Sequence, residues 1–82
     1  MRIKPLQKEV QARLLHYQLK KKWEKAKRIF ERDIRHPSLH IELLEPRWRG
    51  IYSFRIDQKY RALFFMTDGL VEVFQITKHY RK

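Results

Sequence analysis

Eighty-two residues make one domain, near the lower end of what buries a core unaided, so residues 1–82 are read as a single unit. An apolar share of 43%, with five Phe, four Tyr and two Trp, excludes disorder, and the absence of Cys excludes disulfides and thiolate metal sites. Twenty Lys/Arg against nine Asp/Glu leave +11 on a small surface, which asks for a polyanion, most commonly nucleic acid.

Charge alone does not separate nucleic acid from an anionic membrane or an acidic protein. No stretch approaches the roughly 20 apolar residues of a membrane span. Met1-Arg2-Ile3-Lys4-Pro5 has no apolar core for a secretory signal. A soluble, cytoplasmic protein is expected.

Pro5 suits the first turn of a helix, where its missing N–H costs nothing. Leu6, Val10 and Leu14 then follow at helical spacing, with Leu15 beside them. A second helix carries Leu19, Trp23, Ala26, Phe30 and Ile34 on one face, in steps of 4, 3, 4 and 4. Its other face holds Lys20, Lys21, Lys25, Arg28, Arg32 and Arg35. His36-Pro37 ends it, because a residue before Pro avoids helical geometry. Trp23 and Phe30 belong to the core.

From Leu39 the period changes to that of strands. Leu39 to Leu43 alternates briefly and stops near Pro46; Ile51 to Ile56, Tyr60 to Met66 and Leu70 to Ile76 follow. Asp68-Gly69 is a strong hairpin signal, since a type I′ turn needs positive φ at both central residues. The predicted fold is α+β: two N-terminal helices packed on one face of a four-stranded, mainly antiparallel sheet.

A two-residue turn at Asp68-Gly69 sets Thr67 opposite Leu70 and Arg61 opposite Ile76. A turn through Asp57, Gln58 and Lys59 sets Arg55 opposite Arg61. One face then holds Tyr52, Phe54, Ile56, Tyr60, Ala62, Phe64, Met66, Val71 and Val73, a floor for the helices. The other holds Arg55, Arg61, Leu63, Phe65, Phe74 and Ile76. An uncovered face with four large apolar residues is unusual for a monomer. Either the N-terminal segment folds under it or another chain covers it, and a partner is the favoured explanation.

The run His36-Pro37-Ser38-Leu39, then Gly50-Ile51-Tyr52-Ser53-Phe54-Arg55-Ile56-Asp57, then Lys59-Tyr60-Arg61-Ala62-Leu63-Phe64 resembles the RelE/ParE superfamily of bacterial toxins. The ending Ile76-Thr77-Lys78-His79-Tyr80-Arg81-Lys82 is similar to that of its YoeB-type members, and the likeness runs from Leu19 to the C-terminus. It implies an mRNA endonuclease acting in the translating ribosome, or in the ParE branch a gyrase poison. Either would be restrained by a cognate antitoxin. It further implies catalytic roles for Arg61, His79, Tyr80, Glu42 and Arg55, with Glu45 competing for the place of Glu42. Arg55 and Ser53 stand where RelE-type members carry catalytic lysines, which turns the likeness toward the YoeB-like branch. Members also begin with a strand, for which Arg2-Ile3-Lys4 is barely long enough.

Metal-free RNA cleavage needs a base for the 2′-OH, a cation for the phosphorane and an acid for the leaving 5′-oxygen. Glu42, Arg61 with Arg55, and His79 supply those three, while Tyr80 stacks on a base or donates a hydrogen bond. Without the resemblance, the same residues read as solvated surface groups. Lys20, Lys21, Lys25, Arg28, Arg47, Arg49, Lys78 and Arg81 are the candidate phosphate contacts. Trp48 between its two arginines either stacks on a base or anchors its loop to the sheet. His16, His36 and His40 form no metal-ligand pattern, so neither a metal nor a small-molecule cofactor is expected. A non-catalytic nucleic-acid-binding module is the remaining alternative.

Overall fold

The computed structural model describes residues 1–78. Helix α1 spans Lys8–His16 and α2 spans Lys20–Arg32. Pro5 lies outside α1, whose N-cap is Gln7. A tight corner joins the helices: Gln18 takes a left-handed φ of 57°, and the Leu19 N–H donates to the Leu14 carbonyl at 2.8 Å. That bond satisfies a carbonyl the helix end would otherwise leave unpaired. Leu19, Trp23, Ala26 and Phe30 are buried, as their spacing predicts. The helix stops at Arg32, four residues before His36: Asp33 is extended, and its Oδ1 accepts the Arg35 N–H.

The chain then makes a 3-10 turn, Pro37–Leu39, and buries Leu39. Strands β1 (Glu42–Leu43), β2 (Tyr52–Arg55), β3 (Tyr60–Thr67) and β4 (Leu70–Lys78) form an antiparallel sheet in that order. The fold is therefore the expected α+β arrangement. The expected strand from Leu39 shrinks to two residues, because Leu39 is spent on the turn and His40 adopts a left-handed φ of 43°. Asp68 and Gly69 have φ of 52° and 75°, and Thr67 pairs with Leu70, as a type I′ hairpin requires.

Both helices pack on one sheet face. Trp23 stacks on Phe54 with ring centroids 5.8 Å apart, and Phe30 meets Phe54 at 4.8 Å and Phe64 edge-on at 5.3 Å. Each such ring removed from water contributes about 1.5–3 kcal/mol. Tyr52 and Tyr60 are half-buried at this core's edge, while Met66, expected in the floor, is exposed. The N-terminal segment neither folds under the sheet nor forms a full strand. It makes one parallel bridge, Ile3 to Val71, on the outer edge of β4. Glu31 fixes it there by accepting the Ile3 N–H at 2.9 Å.

One register assignment is corrected. Leu63 pairs with Gln75 and Phe64 with Val73, so Phe74 is the extra residue of a β-bulge. Past the bulge the alternation of side chains is reversed. Arg61 faces Thr77 rather than Ile76, and Ile76 joins the helix-side core at 1% exposure. We expect Ile76→Ala to cost about 2–5 kcal/mol. Gln75→Ala should stay within about 0.5 kcal/mol. Urea denaturation reads both, and equal small losses would contradict the bulge.

Asp57 shapes the β2–β3 turn. Its Oδ1 accepts the Lys59 and Tyr60 N–H groups, each at 2.8 Å, and its Oδ2 meets Lys22 Nζ at 3.0 Å. Burial raises its pKa, but the Lys22 ammonium and those N–H donors outweigh burial and hold the carboxyl below its ordinary value. A depressed folded-state pKa adds stability above the unfolded value, about 3.9, and loses it as pH falls through the folded one. Denaturation midpoints should therefore favour the parent over Asp57→Asn at pH 7, with the gap closing below about pH 3.9. A gap that persists in acid would refute the linkage.

Candidate functional site

The sheet face turned away from the helices carries the candidate site. Directly paired residues share a face, so two cross-strand rows follow from the register. Glu42, Ser53, Leu63 and Gln75 make one; Arg55, Arg61 and Thr77 make the next. Sequence reasoning placed Arg55 opposite Arg61, and they are paired. The expectation that left Arg61 on an open face is corrected: it is only 4% exposed, because the lead-in to β1 lies across it.

The guanidinium is held on one edge. Nε donates to Ser53 Oγ at 2.9 Å, and Nη2 donates to the His40 carbonyl and, at 3.3 Å, to the Ser53 carbonyl. Ser53 is itself buried at 1% exposure. Among the described residues no acceptor meets Nη1, and no carboxylate oxygen lies within 4.0 Å of Arg61 or Arg55. Burial lowers the Arg61 pKa, Glu42 opposes that shift and Arg55 adds to it. The group nevertheless stays cationic, as arginine does throughout proteins. Two like charges are thus paired across neighbouring strands, one of them desolvated. Their repulsion costs stability, and the charge of Glu42 offsets it at Arg61.

Glu42 and Glu45 separate cleanly. Glu42 lies on the sheet opposite Ser53, with its charge felt at Arg61. Glu45 sits in the β1–β2 connection, highly exposed and 3.6 Å from Arg47. His79, Tyr80 and Arg81 lie outside the described residues. Lys78 pairs with Tyr60, which assigns it to the helix-bearing face, away from Arg61.

The candidate phosphate contacts do not form one surface. Lys20, Lys21 and Arg28 are exposed on α2, on the helix side of the sheet. Lys25 differs: with Lys22 and Arg55 it borders a hollow of about 330 Å³ beside the β2–β3 turn. Arg47, Trp48 and Arg49 form a 3-10 turn at the other end of β2. Trp48 is 85% exposed, so it does not anchor that loop to the sheet.

Two supporting groups escaped sequence reasoning. The sequence shows Ser53 by the place it occupies and not as an acceptor that orients Arg61. A small polar residue beside two long cations on one face was the available signal. The His40 carbonyl left none, since its aim depends on a left-handed residue after a buried Leu39.

Leu63, Phe65 and Phe74 are half-buried on this face and stand apart from the helix-side core, the two rings 5.7 Å apart. No described helix packs on them, so the uncovered apolar face remains, with Ile76 removed from it. No helix among the described residues is long and apolar enough to cross a membrane. No group of three or more His, Asp or Glu among them is placed to hold a metal ion. No known family model matches the chain, and no curated protein matches it.

The arginine pair yields opposite expectations for two alanine variants. Arg55→Ala relieves repulsion and should be neutral or stabilising by about 0.2–1 kcal/mol at low salt. Arg61→Ala strands the Ser53 and His40 acceptors and should cost about 1–3 kcal/mol. Thermal unfolding at low salt checks both, and a destabilised Arg55→Ala would mean that no net repulsion exists.

Proposed function

We propose that this protein is a metal-independent endoribonuclease that cuts mRNA on the ribosome, the toxin half of a toxin–antitoxin pair. One observation carries the proposal: Arg55 and Arg61 are paired across β2 and β3, one of them buried, with no described carboxylate within 4.0 Å of either. The single negative charge of a phosphate diester set between them would relieve their repulsion, and the second charge gained by the phosphorane would match the pair. Arg61 already has one edge fixed by Ser53 and His40, so its remaining donors meet the phosphate pre-oriented.

In the proposed reaction Glu42 takes the proton of a ribose 2′-OH. The 2′-oxygen attacks the adjacent phosphorus, and Arg61 with Arg55 stabilises the charge gathering on the phosphorane oxygens. The bond to the 5′-oxygen breaks, that oxygen takes a proton from His79, and a 2′,3′-cyclic phosphate and a 5′-hydroxyl remain. Tyr80 stacks on a neighbouring base. An antitoxin laid over Leu63, Phe65 and Phe74 would cover the apolar surface and block the arginine pair together.

Gyrase inhibition by protein contact is the second reading, favoured by the same apolar face. It leaves the fixed guanidinium without a task. Induced expression with mapping of mRNA 5′ ends separates the two. Cuts inside translated codons with 5′-hydroxyl ends are expected, and intact messages with arrested replication would mean gyrase. Glu42→Gln and His79→Ala should each slow cleavage by about 10²–10⁴-fold. Arg61→Lys, which keeps charge without the fork, should fail similarly in a protein that still folds.

A further inference from the structure

The chain has two tryptophans in opposite circumstances. Trp23 is 6% exposed in the core, whereas Trp48 is 85% exposed. A side chain of that apolar area is ordinarily covered. The turn that bears Trp48 does not need it. The Arg49 N–H donates to the Pro46 carbonyl and the Gly50 N–H to the Arg47 carbonyl, each at 3.1 Å, and the Leu44 N–H donates to the Ile51 carbonyl at 2.8 Å. Gly50, at φ 67°, ends the turn in a conformation that favours glycine. The backbone alone fixes the loop, and the indole is held out from it.

Both neighbours of the ring are exposed arginines. Among the described residues Arg49 makes no ion pair. Arg47 is paired with Glu45 at 3.6 Å, with their side chains 77% and 79% exposed. An exposed pair of that kind is weak and yields readily to another anion. Beside the ring lies an open hollow of about 680 Å³ bordered by Arg49, Tyr52, Phe65 and Met66. It reaches Phe65, on the same sheet face as Arg61.

We infer that Trp48 is a stacking platform for one unpaired base of single-stranded RNA, with Arg47 and Arg49 on the flanking phosphates. Charge selects this occupant. Both chain neighbours of Trp48 are exposed cations on a molecule of net charge +11, a setting that attracts a polyanion to the ring. Geometry selects the single strand, since a ring on a turn meets the face of a base only where no paired neighbour covers it. Stacking carries little sequence preference, so the platform adds affinity without choosing a sequence. The inference rests on the RNA reading above for its choice of ligand and requires no chemistry.

The test uses the full chain and an unstructured single-stranded RNA of about ten nucleotides, followed by tryptophan emission, with site size in the range such grooves cover. Emission from exposed Trp48 should be quenched on binding, and the same RNA annealed to its complement should quench far less. Trp48→Ala should weaken binding about 5- to 100-fold with an unchanged melting temperature, and Trp48→Phe should recover part of the loss. Arg47→Ala and Arg49→Ala should each lower the slope of log affinity against log salt by about 0.7. Undiminished binding by Trp48→Ala, or equal quenching by the duplex, would overturn the inference. Cleavage is scored separately: a Trp48-dependent quench in a protein that cuts no message leaves the platform standing without the nuclease. Cutting abolished by Arg61→Lys beside an indifferent Trp48→Ala leaves the nuclease standing without the platform.

Discussion

A nearly buried guanidinium, held along one edge by the sheet, is the constraint around which the C-terminal half of this chain is arranged. Full burial of an unpaired cation costs several kcal/mol, more than a small domain tolerates without compensation. Arg61 meets that cost with hydrogen bonds to the Ser53 hydroxyl and carbonyl and to the His40 carbonyl. Bonds of this kind to a charged group contribute about 1.5–3 kcal/mol. The arrangement dictates local structure. Position 53 must be small and polar, and His40 must turn its carbonyl inward, which it does in a left-handed conformation directly after buried Leu39. The chain therefore enters β1 late, and Glu42 is the first residue in register with Ser53. The brevity of β1 and the placing of the carboxylate near the arginines thus share a cause.

The bulge at Phe74 is the second organising feature, and it acts on the whole sheet. Side chains alternate strictly along a strand, so one inserted residue exchanges the faces of everything beyond it. Without it, Val71 and Val73 could serve the helix-side core only by sending Ile76 to the opposite face. With it, all of them are buried beneath the helices, and Phe74 is left beside Phe65 on the other side. The core gains an isoleucine, and the uncovered face keeps a pair of aromatic rings.

These features mark the limit of what was legible in the sequence. Helix α2 was readable because Leu19, Trp23, Ala26 and Phe30 repeat at the helical period and nothing interrupts them. The hairpin was readable because Asp68-Gly69 names its own turn type, and from it the pairing of Thr67 with Leu70 followed. The turn at Asp57 gave the Arg55–Arg61 pairing in the same way. The bulge was not readable: Val71, Val73, Phe74 and Ile76 are all acceptable strand residues, and only packing beneath the helices decides which of them faces inward. Burial of Arg61 was hidden for a related reason. It depends on a segment 21 residues upstream crossing over it, and no periodicity encodes that. Alternation could equally not distinguish an indole that pins its loop from one that stands clear of it.

A sheet assembled for stability alone would not set Arg55 against Arg61, since an apolar or oppositely charged pair there would avoid the repulsion. Nor would it hold an indole in water on a turn already closed by backbone bonds. Both departures lie along β2, the arginines at one end and Trp48 just beyond the other. At about 3.3 Å per residue, the three steps from Tyr52 to Arg55 make the strand between them roughly 10 Å long. Between them run Leu63, Phe65 and Phe74, apolar and off the core. Local rules are broken where function requires it. Two breaks on one strand, joined by an uncovered aromatic surface, would be economical as parts of the proposed binding track, with cations for the backbone at one end and a ring for a base at the other. The proposed RNA track would make the sheet more than a floor for two helices, with arginines on its far side and an exposed ring in the turn beyond β2.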